Sequence, residues 1–364
     1  VLSGSQTTPE HRGMAPEADI IVVKAGNGSF PISNIVDAMS YCGQVATDQN
    51  QPLVINMSLG SDLGAHDGTS ALDLAVDAFT DATPNDGSND PGTAPDRVVV
   101  VSAGNDGASA QHVTGTIAGG STASEPWTVG EYSPSDGIVN DYVGIQKWFD
   151  TADDVTITVT APNGTDSATL TGSGTIVDDL IAETPSGSIL LESGIGPDNG
   201  DRYFDIQIYD YEDTEADPAV EVSPAEGEWQ IEIENLGSSA VTYHGWTWGV
   251  TVPGSFNNGD SNYTIGTPGT STGAITVGSH AHRWYWGTNG GVYTYASGFS
   301  DRNDISFFSS RGPRRDGVVK PDLTAPGQAM VSAYSQDMPE LGSGAVFDQD
   351  GMHRYSQGTS MSSP

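Results

Sequence analysis

The last nine residues, Ser356-Gln357-Gly358-Thr359-Ser360-Met361-Ser362-Ser363-Pro364, gather hydroxyl groups around one glycine. A hydroxyl becomes a useful nucleophile where a substrate carbonyl can come close and where the negative charge that then develops meets hydrogen-bond donors. Gly358 lacks the side chain that would block such an approach. A helix opening just after it would aim backbone N–H groups and the positive end of its dipole at the same point. Taken alone, the stretch reads equally as a Ser/Gly-rich disordered tail, so the case turns on the elements that would have to hold it.

Those elements alternate. Residues 13–25 end in the unbroken apolar run Ile20-Ile21-Val22-Val23, the pattern of a strand buried on both faces. Pro31, Ile32, Ile35, Val36, Met39 and Val45 then recur at a helical period, with proline in the first turn. Leu53-Val54-Ile55-Asn56-Met57 predicts a second buried strand, and residues 70–81 a second helix offering Ala71, Leu72, Leu74, Ala75, Val76 and Phe79 to the sheet. Val98-Val99-Val100-Val101 predicts a third strand that runs into Ser102-Ala103-Gly104-Asn105-Asp106-Gly107, by itself a plain turn.

Six blocks in order carry a family resemblance: Gly13-Met14-Ala15-Pro16 with its strand; Ile55-Asn56-Met57-Ser58-Leu59-Gly60; Ser102-Ala103-Gly104-Asn105; Pro268-Gly269-Thr270 with Ala274-Ile275-Thr276-Val277-Gly278-Ser279; Phe308-Ser309-Ser310-Arg311-Gly312-Pro313 with Lys320-Pro321-Asp322-Leu323-Thr324-Ala325-Pro326-Gly327; and the closing Gly358-Thr359-Ser360 turn. Together they resemble the subtilisin-like serine proteases, the subtilases. The resemblance implies an α/β fold, a doubly wound and mostly parallel sheet. It also implies that Ser360 is the nucleophile and that the Asn105 amide donates to the oxyanion of the tetrahedral intermediate. By the same likeness Ser58, Leu59 and Gly60 pair through their backbone with an extended protein or peptide substrate. Ser102, Ala103 and Gly104 form one wall of the pocket for the substrate side chain that precedes the cleaved bond.

Between these halves the pattern changes. From about 111 to 256 helical periodicity is replaced by alternating segments, among them 154–160, 203–208 and 228–234, set between Gly, Pro, Asn and Asp turns. Residues 111–256 are therefore expected to form an all-β sandwich inserted between a first catalytic part, 1–110, and a second, 257–364. The insert loosely resembles the jelly-roll domain found in some bacterial subtilases. Trp229, Trp246, Trp248 and Tyr243 suit a sandwich core, or alternatively a sugar-binding platform; His244 reads as structural.

The chain of 364 residues carries 48 Asp and Glu against 12 Lys and Arg, a net charge of −36, which excludes a nucleic-acid surface. Cys42, the one cysteine, lies at helical spacing among Ile35, Val36, Met39 and Ala46, so a disulfide framework is excluded and the thiol reads as a small core group. No apolar run is long enough to cross a membrane as a helix. A secreted or cell-surface setting is expected, with no cofactor required and calcium possible as a structural ion. The loop at 83–92 offers Asp86, Asn89 and Asp90 but no complete calcium motif. The sequence assigns no oligomeric state.

In the resembling family a His in an H-G-T-H-type helix, oriented by an Asp, activates the serine. His11, His66, His112, His280, His282 and His353 lie in no such motif. The chain, which opens on Val1 and stops inside the Ser360 motif, reads as a piece of a longer serine endopeptidase, inactive by itself because a serine without its base stays protonated. The contrasting expectation is a non-catalytic adhesion or carbohydrate-binding protein on the same scaffold.

Overall fold

The computed structural model describes residues 13–80, 97–174, 177–216, 218–249, 251–283, 285–288, 291–294, 301–335 and 353–364. The chain divides into two compact units. One comprises Val1–Ser61, His66–Ala108 and Tyr263–Pro364; the other comprises Asp62–Ala65 and Ser109–Asn262.

The first unit is built on a four-stranded sheet in the order Leu53–Met57, Arg97–Ser102, Ala274–Ala281, Leu323–Gln328, parallel throughout. Helix Ile32–Gln49 begins after Pro31 and ends on Asn50 in the left-handed conformation, whose N–H returns to the carbonyls of Ala46 and Thr47. Helix Ala71–Thr80 is capped by Ser70: its Oγ accepts from the Asp73 N–H at 3.2 Å and donates to Asp73 Oδ2 at 2.6 Å. Ile35, Met39, Leu72 and Val76 from these helices share one core with Met57, Val99, Val101 and Ala274 of the strands. Cys42 is half-buried, and burial pushes its thiol pKa up.

Two expectations for this unit fail. The run Ile20-Ile21-Val22-Val23 forms no strand; Ile20 is 48 % and Val22 87 % exposed. A run apolar on both faces needs cover on both, and among the described residues it borders a groove of about 810 Å³ beside Leu53–Met57 without joining that edge strand. In the second helix Leu74 is 38 % exposed, while Asp73 is buried in its place. Hydroxyls rather than apolar neighbours make that burial possible, since Asp73 Oδ2 also accepts from Thr270 Oγ1 at 2.9 Å.

The second unit is a sandwich of antiparallel sheets. Six strands run in the order His112–Ile117, Val241–Trp248, Tyr142–Phe149, Arg202–Tyr209, Gly187–Ile195, Asp178–Thr184. Five run in the order Gly254–Phe256, Thr122–Val129, Gly227–Asn235, Val155–Thr160, Ser167–Gly172. Alternate residues of each point inward, so that Ile145, Phe149, Phe204 and Ile206 of one sheet and Trp127, Ile157, Trp229 and Ile231 of the other fill a single core. Trp229, Trp246 and Tyr243 are buried, so they form no exposed sugar platform. The short stretch Asp62–Ala65 joins this unit from far upstream, and Gly64 N–H donates to Gln146 Oε1 at 2.6 Å.

Candidate active site

Ligands of parallel α/β sheets meet the carboxyl ends of the strands, and the expected site residues emerge there. Residues 58–60 follow Leu53–Met57, and residues 103–105 follow Arg97–Ser102. Against them stands the short helix Thr359–Ser362, entered through Gly358 at φ 144° and ψ 160°. Gly358 N–H donates to the carbonyl of Gly327 at 3.0 Å. A Cβ on Gly327 would lie 2.0 Å from Ser362 Oγ and 2.4 Å from Ser279 Oγ, so only glycine lets the chain pass.

Thr359 locks the turn. Its N–H donates to Asn105 Oδ1 at 2.9 Å. Its hydroxyl, fully buried with the rest of the residue, lies 3.1 Å from Asn105 Oδ1, 3.1 Å from the Gly104 carbonyl and 3.1 Å from the Gly104 nitrogen, whose N–H donates to it. Because a backbone N–H must be met by an oxygen, the Asn105 amide has one orientation: Oδ1 faces the helix and Nδ2 turns away from it. Asn105 is exposed and Ser360 half-exposed, so both are accessible to a ligand. A helix N-terminus, an exposed amide and a hydroxyl thus occupy one corner, the arrangement that stabilises an oxyanion formed by attack on a carbonyl.

Ser58 is tied to the same corner through its side chain. Its Oγ donates to the Ser360 carbonyl at 2.9 Å, lies 3.0 Å from Ser363 Oγ, and accepts from Asn56 Nδ2 at 2.9 Å. The structure therefore gives Ser58 a bracing contact to the helix that carries Ser360, a contact that sequence spacing does not reveal. Gly60 and Leu59 lie alongside, with Ser61 and Thr267 exchanging backbone hydrogen bonds at 2.9 Å just beyond. Ser102 and Ala103 are buried and Gly104 half-buried. Ala103 donates to the carbonyl of Val277 at 3.0 Å and accepts from Gly266 N–H at 3.3 Å, so the strand-end wall is bonded to residues 266–269 across from it.

The family model of the subtilases, the peptidase S8 family, matches residues 1–189 and 222–364. This chain belongs to the subtilase family. The structure of the Clostridium perfringens CspB protease matches over 99 % of this chain and 65 % of that one, with a TM-score of 0.67 at 22 % identity, and so shares the subtilisin-like fold. Pyrolysin of Pyrococcus furiosus is 37 % identical over 127 residues, 32 % of this subtilase chain and 8 % of pyrolysin. The serine protease AprX of Bacillus subtilis is 34 % identical over 91 residues, 25 % of this chain and 18 % of AprX. The matched stretches thus span less than half the length of these curated relatives.

Among the described residues no histidine hydrogen-bonds to Ser360, whose Oγ has no partner there. His66 is turned inward, its Nδ1 2.8 Å from the Ile265 carbonyl. His112 and His244 lie in the β unit and pair with each other, Nε2 to Nδ1 at 2.9 Å, while His112 Nδ1 lies 3.0 Å from Asp260 Oδ1. Burial holds the His112 pKa below its usual value, against the pull of Asp260. Sequence reading finds no partner for His244, because the two histidines lie 132 residues apart.

Sequence reading also misses a brace behind residues 267–270 of the subtilase unit. Buried Asp67 and half-buried Arg315 pair at 2.6 Å; Arg314 Nη1 donates to the Thr270 carbonyl at 2.8 Å; and Ser70 Oγ lies 2.5 Å from Thr267 Oγ1. Burial raises the Asp73 pKa despite its hydroxyl donors. The capping pattern Ser70-Ala71-Leu72-Asp73 is the one sequence signal of this brace. The 83–92 loop lies outside the described residues, and among those described no three His, Cys, Asp or Glu side chains gather as a metal site.

Proposed function

We propose that this chain is the part of a secreted serine endopeptidase that carries the nucleophile and the oxyanion donor. Ser360 Oγ attacks the scissile carbonyl and forms an acyl-enzyme, and Asn105 Nδ2 donates to the oxygen that becomes negative. The observation that supports this reading most directly is the Thr359 N–H bond to Asn105 Oδ1, which ties donor and nucleophile into one rigid corner. In this reading Leu59 and Gly60 pair with an extended peptide, and residues 102–104 with 266–269 flank its side chain. Ser58 serves in this reading by holding the Ser360 helix. No cofactor enters the reaction. The acidic surface suits an extracellular setting, and among the described residues no helix is long and apolar enough to cross a membrane.

Among the described residues no general base reaches Ser360 Oγ, and on this reading the 364-residue chain by itself should not hydrolyse peptides. The test uses the enzyme completed with its neighbouring sequence. Labelling by a fluorophosphonate and cleavage of a peptide anilide should both vanish in Ser360→Ala. Cleavage that survives the substitution would remove Ser360 from the mechanism.

A further inference from the structure

Two aspartates are sealed inside the β unit. Asp210 is fully buried and Asp141 is 1 % exposed. Asp210 Oδ1 accepts from the N–H groups of Asn140 at 2.9 Å and Asp141 at 2.8 Å, but its Oδ2, also buried, has no partner. The Asn140 side-chain oxygen is likewise buried and unpartnered, while its Nδ2 donates to the Asp136 carbonyl at 2.8 Å. Asp141 Oδ2 accepts from Ser135 N–H at 2.7 Å, and Asp210 N–H closes the loop onto the Asp141 carbonyl at 3.0 Å.

Among the described residues no lysine or arginine pairs with either aspartate. Burying carboxylates without a counter-charge is costly, and buried oxygens that accept nothing carry the full desolvation cost. Tyr132 senses the same negative field: burial first, then Asp141, Glu226 and Asp210, pushes its pKa up to about 12. Two carboxylates and an amide oxygen, drawn together where Asp210 after strand Arg202–Tyr209 bonds the N–H groups of residues 140 and 141, are hard donors, the set that calcium completes with backbone carbonyls and water; magnesium asks for a stricter octahedron and keeps more of its own water.

We propose that Asp141, Asp210 and the side-chain oxygen of Asn140 bind a calcium ion that fixes the 133–141 loop of the β unit. This site is separate from the nucleophile corner, from the 83–92 loop and from any step of peptide hydrolysis. Its test needs no activity. The 364-residue chain, stripped with a chelator, is titrated with calcium by calorimetry and melted with and without the ion.

Calcium should bind with one-to-one stoichiometry and raise the Tm, and magnesium at equal concentration should do markedly less. Asp210→Asn keeps the oxygen that receives the two loop N–H groups but removes a charge, and should weaken binding by about tenfold or more. Asn140→Asp adds a charge and should tighten it. If Asp210→Asn fails to fold, Asp141→Asn carries the same expectation. No binding, equal affinity in the wild type and the charge variants, or equal response to magnesium would each overturn the assignment.

Discussion

The Thr359 N–H reaches Asn105 Oδ1 at 2.9 Å across 254 residues of sequence. In the proposed mechanism Asn105 then does two things at once, as an acceptor that holds the helix of Ser360 and as a donor to the oxyanion. The two roles can be separated by substitution.

In the completed enzyme Asn105→Ala should lower kcat by about 100- to 1,000-fold, roughly 2.7–4 kcal/mol, with KM nearly unchanged, because the donor is felt mainly in the transition state. Asn105→Asp keeps an oxygen for Thr359 and should leave fluorophosphonate-accessible Ser360 in place, yet kcat should fall at least as far, since a carboxylate donates nothing. A raised KM at normal kcat in either variant would assign Asn105 to ground-state binding.

The core of the β unit holds an ion pair between Lys147 Nζ and Glu125 Oε2, with the Tyr243 hydroxyl donating to Glu125 Oε1. Lys147 is fully buried between the rings of Tyr243 and Phe256, each 5.0 Å away. Lys147→Met leaves a buried charge without its partner and should cost about 3–5 kcal/mol in urea unfolding. Combined with Glu125→Gln, which still accepts from Tyr243, it should cost much less. Equal loss in the single and double variants would show that packing, not charge, sets the effect.

Asp205 gives a pH dependence. Burial lifts its pKa from 3.8 to about 6, with Gln207 Nε2 at 3.4 Å pulling weakly the other way. A carboxyl raised on folding favours the folded state while protonated: that contribution is complete below about pH 4 and is lost as pH rises through 6. Asp205→Asn should therefore be more stable than the wild type at pH 7 by about 3 kcal/mol and no more stable at pH 4. Parallel stability curves for the two proteins would contradict the shift.

The antiparallel unit closes its own core, so the fragment 109–262 should fold alone even without the Gly64 bond to Gln146. Dispersed amide NMR signals and a β-type circular dichroism spectrum would show it; a disordered spectrum would mean that the unit depends on the rest of the chain.

How much the sequence reveals differs by kind of contact. Strands Leu53–Met57, Arg97–Ser102 and Gly227–Asn235 are legible because burial on one or both faces writes a period into the residues. The corner of Asn105, Thr359 and Ser360 is legible as motifs, since Gly104 and Gly358 occupy backbone conformations, φ 108° and 144°, that few residues tolerate. Pairings such as Asp67 with Arg315 or His112 with His244 are not, because a hydrogen bond between distant residues leaves no local period. The run Ile20-Ile21-Val22-Val23 shows the opposite failure: it carries the strand signal without forming a ladder among the described residues.

Where the β unit begins and ends bears on how the catalytic sheet assembles. His112 and Asp260 exchange backbone hydrogen bonds at 3.2 and 2.7 Å, so the unit pins together two points 148 residues apart. The adjacent parallel partners Val99 and Ala274 are 274 − 99 = 175 residues apart. Once that bridge is formed, roughly 27 residues of open chain remain between them, which lowers the closure entropy by about 1.5 kcal/mol, at 0.6 kcal/mol per halving of the loop. The sandwich then acts as a folding clamp, and in pulse-labelled hydrogen exchange the amides of Tyr142–Phe149 and Arg202–Tyr209 should be protected before those of Arg97–Ser102 and Ala274–Ala281.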